Sequence, residues 1–429
     1  MQRIAIVYGT RPEAIKMAPV VQALRGRPEH FEVVVCATAQ HRELLDQVQE
    51  LFGLRPDHDL NLMTAGQELN ALAARTLSGI DRLLAATAPD WLLVQGDTTS
   101  AAIAALAAFH RGVRIGHVEA GLRTGDLTRP FPEEANRRIV DLLAAAHFAP
   151  TAGAARRLLA EGAAASGVHL TGNTGIDALH QMAARLAPDG PEEAGAQWQR
   201  EAVRAIGGAG AAGYPAGPAG PAGPAGPASP VGEVLVTVHR RESFGAPLAA
   251  IFAALRRLAE AFPRIRWVYP VHPNPAVAGP AAELLAGLPN LHLCRPLAYD
   301  ELVRHLRRAL LVLTDSGGLQ EEAPAFGCPV LVLRDTTERP EGIAAGVAML
   351  VGTDPARIVA AASRLLDDPA ARRRMATAAN PYGDGRAASR IAAILAGEPY
   401  QAFAPAPPPP AAAPGGDGSA VAAGTLETP

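Results

Sequence analysis

The sequence predicts an α/β protein of two domains, each a doubly wound parallel sheet, with a cleft between them. Three observations lead there. Short, almost wholly apolar runs recur along the chain, the pattern of strands buried on both faces. Each run is followed by a loop rich in Gly, Ser, Thr, Asp or Pro, and then by a segment of helical length. A change of composition at 207–230 splits this alternation into two blocks, as a length of 429 residues also suggests. The expected boundaries are 1–173 for the first domain and 174–382 for the second, which carries 207–230 as an insertion.

RIAIVYG (3–9) is the first strand, and GTRPEAIKMAPVVQALRG (9–26) is a loop leading into an amphipathic helix. Pro12 suits a first helical position there and Gly26 an end. FEVVVCATA (31–39) is a second strand that opens into the helix of QHRELLDQVQELFG, and 68–87 make a third helix. WLLVQG (91–96) is a strand with Asp97 at its exit. Thr98, Thr99 and Ser100 are natural N-caps for the Ala-rich helix former 101–110, which Gly112 stops. RIGHV (114–118) returns as a strand ending in Glu119. Glu133 follows Pro132 where another helix should begin, with Glu134, Asn136 and Arg137 behind it. HFAPT (147–151) and VHLTGN (168–173) bring the first block to six strands. In the second block EVLVTVH (233–239), RIRWVYPVH (264–272), NLHLCRP (290–296), LLVLTDSG (310–317), PVLVLRD (329–335) and AMLVG (348–352) alternate with helical segments. GDGRAASRIAAILAG (383–397) is a last helix that packs back across the domains. The Gly-Pro-Ala triplets in 207–230 have collagen's period, but about four triplets cannot sustain a triple helix, and a polyproline-like surface insertion fits better. The Pro, Ala and Gly-rich tail, 402–429, is expected to be disordered.

An apolar fraction of 48% is ample for two cores, and a net charge of −3 gives no reason to expect nucleic acid as a partner. No apolar run has the length and purity of a membrane span. MQRIAIVYGTRPE lacks the regions of a signal peptide, so a cytoplasmic location is expected. Cys36, Cys294 and Cys328 lie far apart without CxxC spacing, which indicates neither disulfides nor zinc. Of 39 basic side chains only Lys16 is a lysine. It is either a chance survivor or a position that needs a compact point charge.

Ligands of open α/β sheets bind beyond the carboxyl ends of the strands, so Asp97, Glu119 and Glu133 are expected to line one crevice. An acid after a strand is often a helix cap, and Asp97 alone is open to that reading. Glu119 is less so, because AGLRTG after it is a loop. Three convergent acids read as a catalytic cluster. Arg11 and Lys16 lie at or near a helix N-terminus beside a strand end, where phosphate binds readily. That loop is neither GxGxxG nor GxxxxGK[ST]. His239 ends a strand ahead of Arg240 and Arg241, where imidazole or guanidinium can reach an anion, and His272 ends the next strand. In TDSGGLQEEAPAFG (314–327) a strand ends at Asp315, Ser316, Gly317 and Gly318 form a tight turn, and a helix starts at about Leu319. Amides at such a turn can cradle a diphosphate, Glu322 can accept from a ribose diol, and Arg339 adds positive charge after the next strand. A plain strand-to-helix turn is the alternative for this piece.

The blocks GTRPEAIKMAPV, TAQHRELLDQV, GDTTSA, GHVEAGLRTGD, PFPEEANRR, GNTGIDAL, VTVHRRESFG, YPVHPNP, TDSGGLQEEAPAFGCPVLVLRDTTERPEG and NPYGDG closely resemble the non-hydrolysing UDP-N-acetylglucosamine 2-epimerases. The resemblance implies two Rossmann-like domains in a glycosyltransferase-B-like arrangement. It implies a homodimer, without metal or nicotinamide cofactor, that interconverts UDP-GlcNAc and UDP-ManNAc and supplies ManNAc-type sugars for surface polysaccharide. By the same resemblance Asp97, Glu119 and Glu133 are essential carboxylates and His239 is an active-site histidine. Arg11 and Lys16 match nucleotide-sugar contacts, and Ser316, Gly317, Gly318, Glu322 and Arg339 match UDP contacts. Arg240 and His272 are expected to join the substrate site.

Three features depart from the family pattern. The Gly-Pro-Ala insertion is not a family feature, and Leu302 stands where some relatives carry an aromatic near the base. Some bacterial relatives bind a second substrate molecule as activator; Gln40 and His272 match that pattern, but Gly66 and Glu43 replace an Arg and a Gln. Rival readings are a hydrolysing 2-epimerase, which would release free ManNAc, a glycosyltransferase of the same architecture, and a non-catalytic UDP-sugar-binding module. The three acids argue against the last two.

Overall fold

A computed structural model describes residues 1–38, 42–62, 68–186 and 232–405; the 207–230 insertion lies outside them. The first half runs β1 (Gln2–Tyr8), α1 (Arg11–Arg25), β2 (Phe31–Ala37), α2 (Arg42–Phe52), β3 (His58–Asp59), α3 (Leu69–Thr87), β4 (Trp91–Gln95) and α4 (Thr99–His110). It continues with β5 (Arg114–Val118), α5 (Glu133–Leu143), β6 (Ala146–Ala149), α6 (Ala152–Ala160), β7 (Val168–Leu170) and α7 (Thr174–Arg185). The second half runs β8 (Gly232–Thr237), α8 (Ala246–Ala261), β9 (Ile265–Pro270), α9 (Pro275–Leu284), β10 (Leu291–Cys294), α10 (Tyr299–Arg308), β11 (Ala309–Thr314) and α11 (Gly317–Glu322). Then come β12 (Val330–Val332), α12 (Pro340–Ala344), β13 (Ala348–Leu350), α13 (Pro355–Asp367), α14 (Pro369–Ala376) and α15 (Ala387–Ala396).

All strand pairs are parallel. The first sheet has seven strands in the order β3-β2-β1-β4-β5-β6-β7, and the second six in the order β10-β9-β8-β11-β12-β13. Both orders reverse direction once, at β1/β4 and at β8/β11, and such reversals open the crevices where doubly wound sheets bind ligands. The seventh strand of the first sheet, β3, was not legible as an apolar run. It is two polar residues that pair with Cys36 and Ala37 of β2.

Local chemistry sets the starts of the helices that matter for the cleft. The Thr98 hydroxyl accepts the Ala101 amide at 3.0 Å and caps α4, which leaves the neighbouring Asp97 carboxylate out of the cap. Gly26 closes α1 with an ordinary right-handed φ of −69°, so no left-handed turn requires glycine there. The helix after β11 begins at Gly317, two residues before the expected Leu319.

One apolar cluster joins the halves. It runs from Ile4, Ile6 and Tyr8 through Ala178 and Leu179 to Val303, Leu306 and Leu319, and the Phe52 and Tyr299 rings lie 5.8 Å apart across the junction. The last helix, α15, returns to pack on α1 and α7. Asp177 of α7 accepts the Ala387 and Ala388 amides at 3.1 and 2.8 Å, and so caps α15 from a distant part of the sequence. The chain beyond is ordered further than its composition suggests. Phe403 is 3% exposed, its amide donates to Leu170 O at 3.0 Å, and Arg390 lies over its ring. The expected disorder from residue 402 is therefore corrected for 402–405, because Phe403 fills an apolar gap beside Gly172.

Burial pushes Asp177 up to about 7, with the two α15 amides and Arg390 opposing it and Asp384 adding to it. A carboxyl raised above its unfolded value favours folding while protonated. That stability is complete below about pH 4 and is lost as pH rises toward 7. Asp177→Asn should flatten the fall in unfolding temperature between pH 4 and 7, by a few degrees at the upper end. An unchanged slope would mean that Asp177 does not set it.

Candidate active site

The carboxyl ends of both sheets contribute to one cleft. From the first half come the turn after β1, Asp97 after β4, Glu119 after β5 and Asn173 after β7. The turn after β1 holds no vacant cradle of amides. The Glu13 carboxylate accepts Gly9 N and Thr10 N at 3.0 and 2.7 Å, and it also takes the Thr98 hydroxyl at 2.7 Å. What this turn offers an anion is the side chains of Arg11 and Lys16.

Lys16 is largely shielded, its side chain 13% exposed; it forms an ion pair with Glu119 and lies 3.8 Å from Glu321 of α11. Burial would lower its pKa, but Glu119 and Glu321 outweigh burial and raise it. Asn173 caps α7 through its side-chain oxygen, and its amide nitrogen donates to Glu321 at 2.8 Å and to Glu119 at 3.4 Å. Glu321 also accepts Arg339 Nε at 2.9 Å. Cations and anions thus alternate across the cleft, Lys16, Glu119 and Asn173 from one half and Glu321 and Arg339 from the other. Glu119 has a φ of 69°, a left-handed backbone that costs a residue with a side chain about 1–3 kcal/mol.

Asp97 is held by Arg137, whose Nε donates at 3.1 Å, and its carbonyl accepts Asn136 at 3.0 Å. Arg137 stands one turn along α5 from Glu133. One Glu133 oxygen is buried with no hydrogen-bond partner.

On the other side, Asp315 follows β11 fully buried and accepts the amides of His239 and Arg240 at 2.9 and 2.8 Å. This fixes the turn after β8. The His239 Nδ1 lies 3.6 Å from Asp315, too far for a hydrogen bond, and its ring stacks on His272 with centroids 5.8 Å apart. Burial lowers the His239 pKa, with Asp315 opposing. Beyond Ser316, the Arg339 guanidinium covers Gly317 so closely that a Cβ there would sit 3.0 Å from Cζ. Gly318 is open by comparison. Glu322 is half-buried, and desolvation carries it up to about 7 even though Lys16 and Arg11 oppose the rise. Arg11 reaches across to Leu297 O at 3.1 Å. Arg240 lies 3.5 Å from Glu338, which Arg339 also contacts at 2.8 Å. Burial would raise Glu338, but Arg339, Arg334 and Arg240 hold it at about 2. A cleft of about 910 Å³ opens beside these residues, between the loop 123–130 and the turns around Arg240 and Arg334.

A UDP-N-acetylglucosamine 2-epimerase family model matches residues 22–204 and 228–396. The UDP-N-acetylglucosamine 2-epimerases of Salmonella typhimurium and Escherichia coli (strain K12) are each 47% identical over 393 residues, covering 92% of this chain and 98% of theirs. The chain belongs to the UDP-N-acetylglucosamine 2-epimerase family. A crystal structure of the Neisseria meningitidis UDP-GlcNAc 2-epimerase bound to UDP-GlcNAc is 40% identical. It superposes with a TM-score of 0.78 over 92% of this chain and 99% of its own. The expected α/β fold of two Rossmann-like domains is therefore correct.

Within this epimerase scaffold, three cleft residues had no distinct sequence signal. Asn173 closed the strand-like run VHLTGN, Glu321 sits beside the more conspicuous Glu322, and Glu338 is one acid in a polar loop. Tyr299 is a fourth, buried with its hydroxyl unpartnered and close in charge terms to Glu322 and Arg11. Of the activator pattern, His272 stacks on His239, while Gln40, Gly66 and the Glu43 side chain lie outside the described residues. Among the described residues no group of three or more His, Cys, Asp or Glu is placed to hold a metal ion, and no helix is long and apolar enough to cross a membrane.

Proposed function

We propose that the chain interconverts UDP-GlcNAc and UDP-ManNAc at C2 without net hydrolysis. The observation that carries this reading is the pairing of two carboxylates with two cations at one cleft, Asp97 with Arg137 and Glu119 with Lys16. C2 of the sugar bears an amide nitrogen and has no neighbouring carbonyl, so direct removal of its proton would leave an unstabilised carbanion. Departure of UDP from C1 first, or nearly first, gives C1 oxocarbenium character and makes the C2 proton removable. Lys16, Arg339 and Arg11 stabilise the charge that grows on the departing diphosphate. A carboxylate takes the proton, leaving 2-acetamidoglucal and UDP together in the cleft. Reprotonation from the opposite face and return of UDP to C1 give the epimer. Two faces need two proton-handling groups, and Asp97 and Glu119, at the ends of adjacent strands, fill those roles. Glu133 and His239 position the sugar or assist protonation of the leaving group. Glu322 accepts from the ribose, and Ser316, Gly317 and Gly318 line the diphosphate.

The reading includes a cytoplasmic homodimer. Phe109 of α4 and Ile139 and Leu142 of α5 are apolar and 57%, 43% and 83% exposed on helices that pack side by side, which suits a subunit contact. The test is incubation with UDP-GlcNAc in heavy water, on a sample whose mass is measured by sedimentation. Deuterium should appear at C2 of both epimers, with UDP-ManNAc as the soluble product and a mass of two chains. Free ManNAc and UDP in excess would instead assign the hydrolysing reaction, and a single-chain mass would remove the dimer.

A further inference from the structure

We propose that Asp141 and His117 are positioning residues that hold the three cleft carboxylates in register, Asp141 by fixing the left-handed backbone of Glu119. Neither touches the cleft. His117 is fully buried on β5 and the Asp141 side chain is 4% exposed on α5. His117 Nδ1 lies 2.5 Å from Asp141 Oδ1, and the second carboxylate oxygen accepts Gly121 N at 3.2 Å and pairs with Arg123 at 2.8 Å. One carboxylate therefore grips the chain two residues before Glu119 and two residues after it. That closed loop holds the intervening residue at a φ of 69°, which an unrestrained glutamate would leave.

The same pair reaches the other two acids. His117 Nε2 donates to the carbonyl of Gly96, the residue before Asp97, at 2.9 Å. Asp141 itself stands two turns along α5 from Glu133, and the carbonyl of Asp141 receives His147 from β6 at 2.9 Å. Each of the three segments that carry an acid is thus tied to one buried pair, with Arg123 bridging onward to Glu161 at 2.6 Å. A buried hydrogen-bonded network of this kind fixes geometry, and a misplacement of about 1 Å at a reacting group can cost about 100-fold in rate.

The kinetic arm of the test rests on the epimerase reading, and the crystallographic arm does not. Asp141→Asn keeps the shape and removes the charge; His117→Gln is the second variant should the first fold poorly. In each, residue 119 should relax out of the left-handed region in a crystal structure. The kcat on UDP-GlcNAc should fall about 100-fold while the Kd for UDP stays within about threefold, since the nucleotide is held mainly by the second domain. Because Asp141 acts chiefly through Glu119 and less through the other two acids, adding Asp141→Asn to Glu119→Gln should cost about tenfold or less, below its cost alone. Residue 119 unmoved in both variants, kcat within about threefold of the parent, or equal losses in both backgrounds would each overturn the assignment. A wild-type chain inert on UDP-GlcNAc would sink the epimerase reading alone, and the backbone of residue 119 would still decide this one.

Discussion

Asp97→Asn is expected to lower kcat on UDP-GlcNAc by about 10²–10⁴-fold and to leave UDP affinity within about threefold. The substitution is nearly isosteric. It keeps an oxygen for Arg137 and leaves the cap of α4 untouched, because Thr98 and not Asp97 accepts the Ala101 amide. It removes the negative charge, and with it the capacity to take a proton from C2. In the proposed reading UDP is held by Arg339, Glu322 and the turn at Ser316 of the second half and by Arg11 and Lys16 of the first, while Asp97 pairs with Arg137. Conversion followed by NMR and UDP binding followed by calorimetry separate the two effects. Retained turnover would remove Asp97 from the proton path, and loss of binding along with turnover would make it a scaffold residue.

The second large effect concerns stability. Lys16→Met should cost about 3–5 kcal/mol, because it leaves the buried Glu119 facing Glu321 without the cation they share. Glu321 keeps Arg339 and Asn173, so the loss falls mainly on Glu119. Lys16→Met combined with Glu119→Gln should therefore recover more than half of the loss, as expected when two groups act on each other. The unfolding midpoints of the parent, the two single variants and the double variant close that cycle. Additive losses would show that the pair is not coupled. Lys16→Arg is no substitute, since a planar fork is wider than the point charge the site encloses.

Much of this architecture is written in local pattern. Strands such as 91–96 and 310–317 announce themselves because burial on both faces leaves an unbroken apolar run, and the acids at their exits follow from sheet geometry. The long helices were legible from composition and caps. What stayed hidden depends on direction across space. Glu321 and Glu322 are adjacent in sequence, yet neighbours on a helix point about 100° apart, so nothing local says which one meets Lys16 and Asn173. Glu13 carried no reading of its own in the sequence, yet it fills the Gly9 and Thr10 amides beside Arg11. Two-residue β3 was too brief to have a period, and Phe403 was masked by its disorder-prone neighbours.

The polypeptide returns to the first lobe before α15, whose amides are seated on Asp177 of α7 and which packs on α1. The end of the sequence is thereby bolted to its beginning, with the Gln2 side chain donating to Leu395 O at 2.8 Å. A backbone cut inside the second lobe would therefore leave its final helix fastened to the first.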